Sequence, residues 1–110
     1  MAYRFVRARP KRERLPELRE RLADGDIEQL DPFGRAMTTA LENARFDPAT
    51  DEAVWIEEDY CTPPLAMERD AVLEDYFDGI TVVADDVDET AGWQRIDDLP
   101  GLWEQVLDGA

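Results

Sequence analysis

The hydrophobic positions fall into short blocks separated by proline, glycine and acidic punctuation. Tyr3-Arg4-Phe5-Val6-Arg7 alternates and predicts a short strand that Pro10 ends. Leu15, Leu18 and Leu22 recur at helical spacing, with Pro16 tolerated near the start and Asp24-Gly25 closing the helix. Ile27 and Leu30 add at most one further turn. Asp31-Pro32 predicts a second helix, with an Asp N-cap and proline at the first helical position. Phe33, Met37, Ala40, Leu41 and Ala44 then share one face. Turn chemistry at Asp47-Pro48-Ala49-Thr50-Asp51 predicts a hairpin, with a short arm near Arg45–Phe46 and a longer arm over Ala53–Tyr60. In the longer arm Val54, Ile56, Glu58 and Tyr60 take one parity, and Trp55, Glu57 and Asp59 the other. Thr62-Pro63-Pro64 predicts the start of a third helix with an inner stripe of Leu65, Arg69, Val72, Leu73, Tyr76 and Phe77, stopped at Asp78-Gly79. Ile80-Thr81-Val82-Val83-Ala84 is β-branched and reads as a strand. Asp85-Asp86-Val87-Asp88-Glu89 reads as an acidic loop and Trp93–Ile96 as a fourth strand. Asp98 is expected to cap a last helix with Leu102, Trp103, Val106 and Leu107 facing inward.

Helices and strands interleave without a regular βαβ rhythm, and one hairpin is present. This predicts an α+β fold: a small, mostly antiparallel sheet of three to four strands with three to four helices packed on one face. At 110 residues the chain is read as a single domain spanning 1–110, with no repeat and no linker.

Charge sharpens the picture. There are 27 acids against 12 bases, a net charge of −15, and Lys11 is the only lysine. The charge is uneven. The basic N-terminal segment, about residues 1–21, carries eight bases and three acids, for +5; the remainder carries −20. A surface this anionic repels itself in dilute buffer and is tolerated where concentrated salt shortens the screening length to about 3 Å at 1 M. The basic segment has two readings: a phosphate or nucleic-acid contact, or pairing with acids of its own chain or of a second copy. Nucleic acid is not expected, because counterion release gains little in high salt and the acidic body repels a polyanion.

The residue inventory removes most catalytic machinery. There is no histidine, so histidine-dependent triads, dyads, general bases and zinc sites are out. The six glycines are scattered, with no phosphate loop. One cysteine excludes thiolate zinc sites, CxxC pairs and an internal disulfide. No apolar run is long enough to cross a membrane and the N-terminus lacks an apolar signal segment, so a cytoplasmic protein is expected. The acid pair Glu57 and Asp59 and the Asp85–Glu89 loop are read as solvated faces; no metal and no cofactor are expected.

The stretch Glu57-Glu58-Asp59-Tyr60-Cys61-Thr62-Pro63-Pro64-Leu65 holds the remaining chemistry. Cys61 stands one residue before a predicted helix cap, where a thiol's pKa falls, yet three preceding acids oppose the thiolate. Arg69 falls on an apolar stripe, so it needs a partner: Glu58 or Asp59 across the strand–helix joint, or an anionic ligand beside Tyr60 and Cys61. The candidate ligand-binding residues are therefore Glu58, Tyr60, Cys61 and Arg69.

In acid surplus, single lysine and reliance on arginine, the chain resembles the small acidic proteins of salt-in haloarchaea. The resemblance is compositional and spans the whole chain. It brings no site residues. Two functions are carried forward: a non-catalytic cytoplasmic interaction module of a halophile, forming a homo-oligomer or meeting a protein partner, and a small anionic-ligand binder or enzyme at the strand–helix joint.

Overall fold

The computed structural model describes residues 3–59, 65–84 and 86–108. Strand β1 (Tyr3–Pro10) leads through a 3₁₀ turn (Arg12–Arg14) into α1 (Leu15–Ala23), and α2 (Gly34–Glu42) comes after it. The hairpin β2 (Arg45–Asp47) and β3 (Glu52–Glu58) is next. α3 (Ala66–Glu68), a π-helical segment (Arg69–Leu73) and α4 (Glu74–Tyr76) form one run that feeds β4 (Phe77–Ala84). α5 (Glu89–Arg95) and a C-terminal π segment (Glu104–Asp108) complete the chain. The four strands form one antiparallel sheet in the order β2-β3-β1-β4, so the fold is α+β as the pattern predicts.

β1 becomes an inner strand because both neighbours pair with it: Phe5 lies opposite Ile56, Val6 opposite Trp55, and Val6 opposite Val82 on the other side. Strand alternation then sorts the side chains into two layers. Val6, Ala8, Ala53, Trp55 and Phe77 join the buried residues of α1, α2 and the α3–α4 run, including Leu18, Met37, Leu41, Leu73 and Tyr76. Phe5, Val54 and Ile56 point the other way and meet Ile96, with Tyr3, Trp93 and Leu99 at the margin. The larger helical layer lies on one face as expected, but α5 covers the opposite face. Gly92 permits this: a Cβ there would sit 2.9 Å from Ile56 Cδ1.

Local readings depart from the structure in identifiable ways. Trp93–Arg95 belong to α5 rather than a strand, and Ile96 is its C-cap. Asp88 caps α5, its carboxylate accepting the Ala91 N–H at 2.9 Å, and Trp93 and Ile96 fall one helical turn apart. Asp98 lies in the turn after α5 and caps nothing. α2 starts at Gly34 rather than Pro32, and the Asp31–Pro32 peptide is cis. Glycine is required at 34, because a Cβ would overlap the Ile27 and Glu28 carbonyl oxygens. Asp78 and Gly79 lie in β4 instead of ending a helix. Asp24-Gly25 does close α1, with Gly25 at φ +77°. The predicted start at Thr62-Pro63-Pro64 lies outside the described residues.

The basic N-terminal segment is built into the domain. Arg7 pairs with Asp47 and Glu52, Lys11 with Asp78, Arg12 with Asp51, Arg14 with Glu17 and Arg21 with Asp26. Tyr76 ties α1 to α4: its hydroxyl donates to Glu17 Oε2 and accepts from Arg21 Nη1 at 3.0 Å. Of the two readings of this segment, pairing with acids of the same chain is the one observed.

Candidate functional site

The strand–helix joint was the expected site. Tyr60 and Cys61 lie outside the described residues. Glu58 ends β3 and is half-buried. With Asp59, Glu68, Phe33 and Met67 it borders a cavity of about 110 Å³.

Arg69 does not join this group. Its Nε and Nη2 donate to Glu74 Oε2 at 3.1 and 3.0 Å, and both side chains are substantially exposed. The predicted bridge from Arg69 to Glu58 or Asp59 is therefore corrected. The stripe was read from Leu65 at 3.6 residues per turn. Leu65 precedes the helix with φ +63°, and the π segment winds with a longer repeat. The buried stripe becomes Glu68, Val72, Leu73 and Tyr76, which rolls Arg69 outward.

Arg4 takes the role assigned to Arg69. Its Nε lies 3.3 Å from Asp59 Oδ2, with side-chain exposures of 13% and 1%. The Leu65 N–H also donates to Asp59 Oδ2, at 2.8 Å. Asp59 thus ties β1 to the entry of the third helical run.

The expectation that Glu57 and Asp59 form a solvated face is corrected: both are buried, because the Trp55 side of β3 faces the helical layer. Glu57 has no exposed surface. It shares the core-facing parity of Trp55, whose indole N–H donates to Glu57 Oε1 at 2.8 Å, while Oε2 has no hydrogen-bond partner. Burial pushes its pKa up to about 8; the nearby Glu68 and Asp59 charges push the same way, and the indole donor opposes them. Burial therefore favours the protonated form of Glu57 at neutral pH. The signal was present as parity: a glutamate in phase with a core tryptophan. Because no solvent reaches it, Glu57 is a core group rather than a catalyst.

The described lining of the joint cavity carries three acids and no base, and Arg69 borders a different concavity beside Phe77, Gly79 and Ile80. Among the described residues, no cluster of three acids or thiols is arranged to hold a metal ion.

Two other features carry recognition chemistry. One is a groove of about 440 Å³ between α2 and α5, lined by Arg45, Trp93 and Asp97 among others. The other is the outer edge of β4, which pairs only with β1 among the described strands. From Gly79 to Ala84 this strand has no charged residue in a chain that is 35% charged. Thr81 and Val83 are exposed on it, and Val83 is one of two large apolar side chains left substantially exposed among the described residues. The opposite edge is different: β2 is only three residues long and is flanked by the C-terminal segment, the Phe46 N–H donating to the Pro100 carbonyl at 2.8 Å. No described helix is long and apolar enough to cross a membrane. The chain matches no protein-family model, no curated protein and no solved structure.

Proposed function

We propose that the protein is a non-catalytic interaction module that forms a homodimer by antiparallel pairing of β4 with β4 of a second copy. The observation that carries this reading is the β4 edge, which has no second neighbour among the described strands and no charge from Gly79 to Ala84. An edge strand presents a row of backbone donors and acceptors, and proteins that avoid pairing blunt such edges with lysine, proline or inward charge. Residues 80–84 hold none of these. A two-fold centred on Val82 sets Thr81 opposite Val83 of the second copy and Ile80 opposite Ala84. The Thr81–Val83 pair is β-branched on both sides, which favours antiparallel pairing, and the same patch serves both copies, as a two-fold interface requires.

The test is mass in solution by light scattering or sedimentation. Each copy carries −15, so pairing should strengthen between roughly 0.1 M and 2 M KCl as repulsion is screened. Thr81→Lys with Val83→Lys changes only exposed positions and should give a folded monomer at both salts. A wild type that is monomeric at 2 M KCl, or a double variant that still dimerises, overturns the proposal.

The acidic surface is read as an adaptation to concentrated salt. The monomeric double variant separates this from dimerisation. Its thermal midpoint should rise from low salt to roughly 2 M KCl, because screening relieves repulsion and salt strengthens apolar burial. A flat or falling midpoint removes the halophile reading while leaving the dimer intact.

A further inference from the structure

The groove between α2 and α5 holds opposite charges that do not meet. Arg45 and Asp97 both line it, yet neither has a salt-bridge partner among the described residues. In a chain with more than two acids per base, a half-buried arginine without a carboxylate partner is unexpected. Arg45 is also fixed in place. Its backbone pairs with Val54 in the hairpin, and its Nη1 donates to the Leu99 carbonyl at 2.9 Å. A guanidinium has five N–H donors, so most of its fork remains for a ligand.

Trp93 lines the groove with the two charges and is half-buried and packed against both core layers. Polar groups stand around it. Asn43 spends its amide N–H on the Thr39 carbonyl, which leaves its side-chain oxygen as an acceptor, and Gln94 and Thr90 add donors and acceptors from α5. A second acid, Glu89, lines the same groove. The volume, about 440 Å³, lies within the range of small-molecule sites.

We infer that this groove binds a small zwitterion of the α-amino-acid type. Its carboxylate lies on the Arg45 fork, in the bidentate geometry that guanidinium favours. Its ammonium lies near Asp97 and over the indole face of Trp93, where a cation is attracted by the ring quadrupole. Its apolar body covers the same ring. A simple anion would face Asp97 and Glu89 with one contact to Arg45, and a simple cation would face Arg45. A ligand carrying both charges satisfies both ends.

The experiment is a titration followed by backbone and indole amide NMR shifts, with calorimetry for affinity. The probes are L-proline, L-phenylalanine and glycine betaine; acetate and tetramethylammonium serve as single-charge controls. At least one zwitterion should saturate with a Kd of about 1 mM or tighter, moving the Trp93 indole signal and the amides of 39–45 and 89–97. Arg45→Met and Asp97→Asn should each weaken binding about tenfold or more, with the remaining spectrum unchanged as the folding control. Asp97→Asn should also narrow the preference for the zwitterion over acetate. Absence of saturation by all three zwitterions, equal binding of acetate or tetramethylammonium, or variants that bind like the wild type would overturn the inference. None of these outcomes bears on pairing at β4, which lies on another edge of the sheet.

Discussion

Replacing Glu57 by glutamine is expected to flatten the dependence of stability on pH between about 4.5 and 8, and to leave the protein more stable at the upper end. Folding moves this carboxyl into a site without solvent, where its pKa rises from 4.5 to about 8. Between those values the folded protein holds a proton that the unfolded chain has released. Stability linked to this proton is fully present below pH 4.5 and is lost as pH rises through about 8. At about 1.36 kcal/mol per pKa unit, the shift from 4.5 to about 8 corresponds to a loss of about 3–5 kcal/mol across the window. Glutamine keeps the shape and an acceptor for the Trp55 indole but cannot ionise. Asp47 and Glu17 act in another window and with the opposite sign. Hydrogen bonds from Arg7 and from Tyr76 hold their pKa values down, so their contribution disappears only as pH falls below the usual carboxylate range. Denaturant melts of both proteins from pH 5 to 9 provide the measurement. Parallel curves would mean that Glu57 does not hold its proton in the fold.

Arg4→Met is expected to lose on the order of 3–5 kcal/mol, because it removes a charged partner from a buried carboxylate. Asp59 is 1% exposed at its side chain and lies near Glu57 and Glu68, so it cannot regain its hydration. The Leu65 N–H remains on Asp59 but carries no full charge. Adding Asp59→Asn should recover part of the loss. Arg69→Met is the contrasting case: its pair with Glu74 is solvated, so at most about 1 kcal/mol is at stake. Equilibrium unfolding of the three variants decides between the arginines. A large loss at Arg69 with a small one at Arg4 would reverse their assignment.

The contrast between these arginines marks where local pattern stops being informative. Arg69 was singled out because it sat on an apolar stripe, and that inference assumed one helical pitch from Leu65 onward. The left-handed backbone at Leu65 and the π segment at Arg69–Leu73 broke the assumption. Arg4 carried no local mark. Its partner lies 55 residues away and reaches it only because β1 pairs with β3. Glu57 was legible as to parity but not as to consequence. Placing it on the Trp55 side said that it faced one layer of the sheet, and only the packing of that layer removed water from both of its oxygens.

By itself the sequence determined the features that near neighbours along the chain impose on one another. The leucine spacing of α1 and its glycine stop, the hairpin turn at 47–51, the β-branched run of β4 and the α+β alternation were all readable. Each rests on backbone preference and periodicity within a few residues. The tertiary structure decided the features that depend on distant segments. It placed α5 on the second face of the sheet and paired Arg7 and Arg12 of the basic segment with acids of the same chain. It also gathered Arg45, Trp93 and Asp97 around one groove and left β4 with a single neighbour among the described strands. The physical reason is that burial and charge pairing are properties of contacts, and the contacts that set them here join residues some 40 to 60 positions apart. No spacing rule within a single element encodes which of those contacts forms.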